Sequence, residues 1–193
     1  MIERIKNIVQ DSIYLKKDLL ANPILLNTIN DVIREMIFVF QNNGKVLMCG
    51  NGGSAADAQH LAAELSNRFF KNRKSLFAEA LHVNTSYLTA AANDFSYEEI
   101  YSRLLEGKAD EKDMLWAFST SGKSPNVLRA LEMGKKIGLK NVGFTGTENV
   151  DFVSLCDICI SIPDANTPRV QEMHMLIGHI ICELVEDSLF PND

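Results

Sequence analysis

The 193-residue chain lacks the marks of a disulfide scaffold, a membrane span or a general polyanion binder. Cys49, Cys156, Cys159 and Cys182 are too few and too scattered for a disulfide framework. No apolar run approaches the ~18 residues that a membrane-spanning helix needs. The opening residues MIERIKNIVQ mix charge with apolar side chains and lack the continuous apolar stretch of a secretory signal. An excess of positive charge is missing as well. The formal net charge of −6 argues against general binding of nucleic acid or membrane surfaces, while leaving room for a local anion site. What is present, 46% hydrophobic and 23% charged residues, suits one core of native size under a solvated surface. These features predict a soluble, cytoplasmic protein with a single domain over residues 1–193.

The first forty residues carry helical periodicity, with Ile5, Val9 and Ile13 in one row. Pro23 interrupts it, and Ile29, Val32, Ile33, Met36, Ile37 and Phe40 resume it until Asn42-Asn43-Gly44. This N-terminal helical pair carries no evident chemistry, so its apolar faces must cover the sheet or meet a second subunit. From Lys45 short apolar runs alternate with helical segments. Val46 to Cys49, Phe77 to Val83, Met114 to Phe118, Asn141 to Phe144 and Ile158 to Ile162 read as buried strands. Helical patterns fall at about 54–67, 85–106, 124–137, 148–155 and 168–188. That rhythm predicts an α/β fold, a three-layer sandwich around a parallel sheet.

In such sheets ligands bind beyond the carboxyl ends of the strands. Three small polar loops fall there: Gly50-Asn51-Gly52-Gly53-Ser54, Ser119-Thr120-Ser121-Gly122-Lys123-Ser124 and Thr145-Gly146-Thr147. The second supplies hydroxyls and backbone N–H groups just ahead of a helix, an arrangement that suits phosphate. It is not a nucleotide P-loop, because that motif requires glycine where Ala117 stands. Gly50, Gly52 and Ala55 fit the loose dinucleotide fingerprint, but no acidic residue closes the following strand to hold a ribose.

On the next helix Asp57, His60 and Glu64 share one face, within roughly 60°. His60 and Glu64, one turn apart, suit two metal ligands or a base with its orienting partner; a plain surface pair has the same spacing. On the last helix Gln171 and His179 lie about 80° apart around the axis and ~12 Å along it. They reach one point only by converging from either side, or else they serve different sites. Gly178 leaves room beside His179 for a close approach. Cys156 and Cys159 form a C-x-x-C with no second pair to close a zinc site, and read as inert thiols. Asn93-Asp94 reads as a helix-ending turn or as a contact to substrate hydroxyls.

Taken in order, Gly50-Asn51-Gly52-Gly53-Ser54, His60-x-x-x-Glu64, Asn93-Asp94, Ser119-Thr120-Ser121-Gly122-x-Ser124 and Gln171-Glu172 to His179 resemble the bacterial phosphoheptose isomerases. These are enzymes of the sugar-isomerase (SIS) fold, and the similarity runs over nearly the whole chain. The resemblance implies a five-stranded parallel sheet and conversion of sedoheptulose 7-phosphate to D-glycero-D-manno-heptose 7-phosphate. That step leads toward nucleotide-activated heptose for lipopolysaccharide or capsule. It also implies a homotetramer with active sites between subunits. Ser119, Thr120, Ser121 and Ser124 would hold the phosphate, while Asn51, Gly52, Gly53, Ser54, Asn93 and Asp94 would line the sugar. The positions of His60, Glu64, Gln171 and His179 imply one zinc per subunit, with Glu64 and Gln171 also touching substrate.

Aldose–ketose interconversion through an enediol needs a base near a C–H bond and an acid near the carbonyl oxygen. Glu64 is the expected base and His179 the expected acid. A second branch of the same family resembles this chain in Arg169 to Met175 and in Leu189-Phe190-Pro191. Those proteins associate with a replication initiator and act by protein binding. That branch lacks the carboxylate and imidazole that stand here as Glu64 and His179, so the enzyme is the expectation.

Overall fold

The computed structural model describes residues 1–147 and 149–191. Helices α1 (Ile2–Ala21) and α2 (Pro23–Gln41) meet at Asn22, whose side-chain oxygen accepts a hydrogen bond from Leu25 N at 3.0 Å. Pro23 sits in the first turn of α2, where its missing N–H costs no intrahelical bond. The expected break is thus also a start. Helix α2 buries a full apolar face, including Ile29, Val32, Ile33 and Met36. In contrast, α1 buries only Leu15 and Leu19 and leaves Ile2, Ile5 and Val9 exposed.

The alternation beyond is β1 (Val46–Gly50), α3 (Gly53–Ser66), β2 (Ala78–Ala80), α4 (Thr85–Asp94), a 3-10 turn at Tyr97–Glu99 and α5 (Ile100–Lys108). It continues through β3 (Met114–Ser119), α6 (Pro125–Ile137), β4 (Lys140–Thr145), α7 (Val150–Ser154), β5 (Ile158–Ser161) and α8 (Thr167–Leu189). Among the described residues the strands form one parallel five-stranded sheet in the order β2-β1-β3-β4-β5. The two-residue repeat of a strand divides the core. Val46, Met48, Trp116 and Phe118 face α1, α2, α3 and α8, while Leu47, Cys49, Leu115 and Ala117 face α4, α5, α6 and α7. This is the expected three-layer α/β sandwich with its N-terminal helical pair.

Two elements differ from the sequence reading by more than two residues. The strand expected over Phe77 to Val83 is confined to Ala78–Ala80. It is an edge strand, and Val83 N turns back to Ala80 O at 3.3 Å instead of continuing the ladder. The helix expected over 85–106 is broken at Phe95, and the chain re-enters through the 3-10 turn. Apolar periodicity survives the break because Ala91, Ile100, Tyr101 and Leu105 all bury into the same cluster. The strand order reverses between β1 and β3, and the crevice at that switch point is where doubly wound sheets bind ligands.

Candidate functional site

The loops after β1 and β3 stand side by side because Gly50 registers with Phe118. After β3 the chain turns tightly, with Gly122 N bonded to Ser119 O at 3.0 Å, and Ser124 takes the N-cap position of α6 without a side-chain capping bond. Ser119 Oγ donates to Ser124 Oγ at 3.1 Å, and Lys123 N donates to Ser121 Oγ at 3.2 Å. A cavity of about 350 Å³ opens beside this loop, lined by Thr120, Ser121, Lys123, Thr147, Asn149 and Thr167. Its hydroxyls, the Lys123 side chain and the helix N-terminus make a setting for an oxyanion. Lys123 and Thr147 were expected only as members of the polar loops, and Asn149 and Thr167 were not singled out by sequence. Their signal was only that they sit in, or just beyond, small polar loops at strand ends.

After β1, Asn51 makes a reciprocal amide pair with Asn126 of α6, and Tyr97 OH donates to Asn51 Oδ1 at 3.2 Å. Neither partner was identifiable from spacing. Tyr97 arrives only because the helix breaks at Phe95, and Asn126 is 75 residues away from Asn51.

The second half of the site lies between α3 and α8. Gly178 permits it: a Cβ there would stand 2.5 Å from Leu61 Cδ1. The close approach expected beside His179 is therefore that of α3. His60 Nε2 stands 3.1 Å from Glu64 Oε1 and 3.0 Å from His179 Nε2. One ligand atom from each of the three residues lies within 4.8 Å of the others. Two imidazole nitrogens and a carboxylate oxygen converging in this way match the donor set of a divalent transition metal such as zinc. The three come from one chain, so His179 needs no neighbour to reach His60 and Glu64.

Burial pushes the His179 pKa below its ordinary value; His60 beside it acts the same way, and Glu64 opposes them. Its ring packs against Phe69, with centroids 5.7 Å apart. Burial also raises the Asp57 carboxyl to about 6, against the opposing pull of His60, and Asp57 Oδ2 is buried without a hydrogen-bond partner. Gln171 reaches across to Gly53, where a Cβ would lie 2.4 Å from its Nε2. Gln171 and His179 line one open cavity of about 540 Å³ with Lys16, Asp57 and Glu172, which resolves their separation along α8.

Asn93 and Asp94 hydrogen-bond to each other at 3.0 Å on the exposed end of α4. Ser54 is buried at the start of α3, its N–H bonded to Asn51 O at 3.0 Å. His174 is a core residue, packed near Phe118 and Phe144. Cys156 and Cys159 are not joined in a disulfide; a hydrogen bond to Cys159 and then burial push the Cys156 pKa well up, consistent with low reactivity of that thiol.

The SIS domain model matches residues 22–146 of this chain. The chain belongs to the SIS-domain family. This SIS-domain chain is 48% identical over 192 residues to a phosphoheptose isomerase of Aneurinibacillus thermoaerophilus, covering 100% of its own length and 97% of the relative's. With a phosphoheptose isomerase of Burkholderia pseudomallei it shares 45% over 186 residues, 96% and 94% of the two chains. Its fold matches the solved phosphoheptose isomerase of Neisseria gonorrhoeae with a TM-score of 0.89 at 32% identity, covering 96% and 98% of the chains. The corresponding values for the Francisella tularensis enzyme are 0.91, 30%, 96% and 98%.

Proposed function

We propose that this SIS-domain chain is a phosphoheptose isomerase. It converts sedoheptulose 7-phosphate to D-glycero-D-manno-heptose 7-phosphate, the first step toward nucleotide-activated heptose for lipopolysaccharide or capsule. The observation that carries the reading is the convergence of His60, Glu64 and His179 between α8 and α3, the helix that starts from the glycine loop after β1. Ser119, Thr120, Ser121 and Ser124 hold the phosphate, with the charge of Lys123 alongside. Asn51, Gly52, Gly53, Ser54, Asn93 and Asp94 line the sugar, and Gln171 orients it across Gly53.

Glu64 removes the proton from the carbon next to the carbonyl and returns it to the neighbouring carbon. His179 supplies the acid function at the oxygens. Its lowered pKa favours the neutral ring, which carries one N–H donor and one lone pair; with the lone pair on a metal, the N–H alone would serve the oxygens. The donor set of His60, Glu64 and His179, joined by Gln171, fits one zinc ion per subunit. When bound, zinc would polarise the carbonyl and stabilise enediolate charge. The exposed apolar row on α1 suits a homotetramer with active sites between subunits. No helix among the described residues is long and apolar enough to cross a membrane, in keeping with a cytoplasmic setting for all of residues 1–193 as one domain.

A protein-binding adaptor of the replication-initiator-associating kind is not favoured, because Glu64 and His179 are both present and meet. The deciding assay is turnover of sedoheptulose 7-phosphate by wild type and Glu64→Gln, each after chelation and after added zinc. Turnover in wild type and its loss in Glu64→Gln are expected. A folded wild-type protein inactive under all conditions overturns the assignment.

A further inference from the structure

We propose that Asn126 and Tyr97 are positioning residues that fix the Asn51 amide as a pure hydrogen-bond donor toward the sugar oxygen on which negative charge develops. The inference rests on the isomerase reading above and deepens it. The Asn51 amide can be accounted for atom by atom. Its Nδ2 donates to Asn126 Oδ1 at 2.8 Å. Its Oδ1 accepts from Asn126 Nδ2 at 2.8 Å and from Tyr97 OH at 3.2 Å. An amide oxygen offers two lone pairs and an amide nitrogen two hydrogens. The oxygen is therefore saturated, and one N–H is left over.

The surroundings keep it so. Asn126 is only 2% exposed, so its amide has no water to turn to, whereas Asn51 is half-buried at the head of the glycine loop. The backbone under Asn51 is held as well, by the Tyr101 hydroxyl donating to Gly50 O at 2.5 Å. Asn126 lies in the first turn of α6, directly after the loop assigned to the phosphate. One side-chain pair thus ties the phosphate end of the site to the glycine loop. A sugar hydroxyl seeking an acceptor finds none on Asn51, while a carbonyl oxygen, and more strongly an enediolate oxygen, finds a donor. An interaction that strengthens as charge develops acts on kcat more than on KM.

The test is a double-mutant cycle on sedoheptulose 7-phosphate turnover with Tyr97→Phe and Asn51→Ala, beside Asn51→Asp. Asn51→Ala is expected to lower kcat about 100-fold, as removal of an oxyanion donor does. Tyr97→Phe is expected to lower kcat about 5-fold with KM little changed, the effect of one neutral hydrogen bond. Added to Asn51→Ala it should cost nothing more. Asn51→Asp, which exchanges the donor for acceptors, should be at least as damaging as Asn51→Ala. An equal Tyr97→Phe penalty in both backgrounds, or near-wild-type kcat in Asn51→Asp, overturns the proposal and leaves the isomerase standing. A wild type without turnover overturns the isomerase reading. The lock is then judged in the free protein by NMR of the 15N-asparagine side chains. One Asn51 Nδ2 proton should be protected from exchange and the other fast, with the contrast reduced by Tyr97→Phe; equal exchange of both in wild type sinks it.

Discussion

His174, at 0% exposure, is held through Nε2 to Thr145 O at 3.1 Å, and its Nδ1 has no partner. Burial pushes its pKa from 6.5 down to about 4, against the opposing backbone hydrogen bond. The folded protein therefore takes up this proton less readily than the unfolded chain. The stability tied to the neutral ring is fully present above pH 6.5 and is lost as pH falls toward 4, about 3 kcal/mol in all. Asp57, raised to about 6, pulls the other way, gaining stability as pH falls from 6 toward 3.8. Urea melts of wild type and His174→Gln at pH 7.5, 6 and 4.5 isolate the histidine, whose advantage should shrink steadily on acidification. At the same scale, Glu64→Gln should lower kcat by about 1,000-fold with the circular dichroism unchanged, because it removes the proposed general base without changing side-chain volume. A retained kcat would take the carboxylate out of the chemistry.

Helix packing decides whether the proposed catalytic groups meet at all. Gly178→Ala puts a methyl group against the fully buried Leu61 side chain, and relief comes from repacking Leu61 or from parting α3 and α8. Overpacking of this kind costs about 1–3 kcal/mol. The larger expected effect is on turnover, since His60 and His179 sit on these two helices. Thermal melts and kcat measured together distinguish the two losses. Farther along α8, Glu186 accepts from Phe69 N at 3.0 Å, Phe70 N at 2.7 Å, Lys71 N at 2.9 Å and Arg73 Nε at 2.7 Å, with its side chain 1% exposed. Glu186→Ala leaves Arg73 charged and buried, and should destabilise by about 3–5 kcal/mol in denaturant melts. It should also release Phe69 from the face of His179. Elements of this length were legible in the sequence wherever burial imposed a period, as in α2, β1, β3 and α8. Legibility failed at the edge strand β2, which pairs on one side, and at Phe95, where apolar spacing runs on through a broken helix. Within the site, His60 with Glu64 and the serine loop were visible because local spacing carries them. The Asn51–Asn126 pair and the Phe69–His179 contact were not, since they join residues that only tertiary folding brings together.

The molecule as a whole presents an unusual surface along α1, where Ile2, Ile5 and Val9 are 71%, 56% and 52% exposed. If this row seals a homotetramer, Ile5→Lys combined with Val9→Lys should lower the mass seen by light scattering while leaving the sheet intact. An unchanged mass would move the interface elsewhere. The same helix is moored to α8 by Ser12 Oγ donating to Glu172 Oε2 at 2.9 Å and by Arg169 NH1 donating to Ile8 O at 3.0 Å. Lost assembly should therefore also disturb the cavity lined by Gln171 and His179. The sheet centre holds the chain's single tryptophan, Trp116, registered between Met48 and Val142 and fully buried. Its emission follows closure of the central strands during refolding, whereas the histidine cluster requires contact between residues 119 positions apart. Non-local closures of that span come late, so on dilution from denaturant the fluorescence change should come first and enzymatic turnover should never precede it.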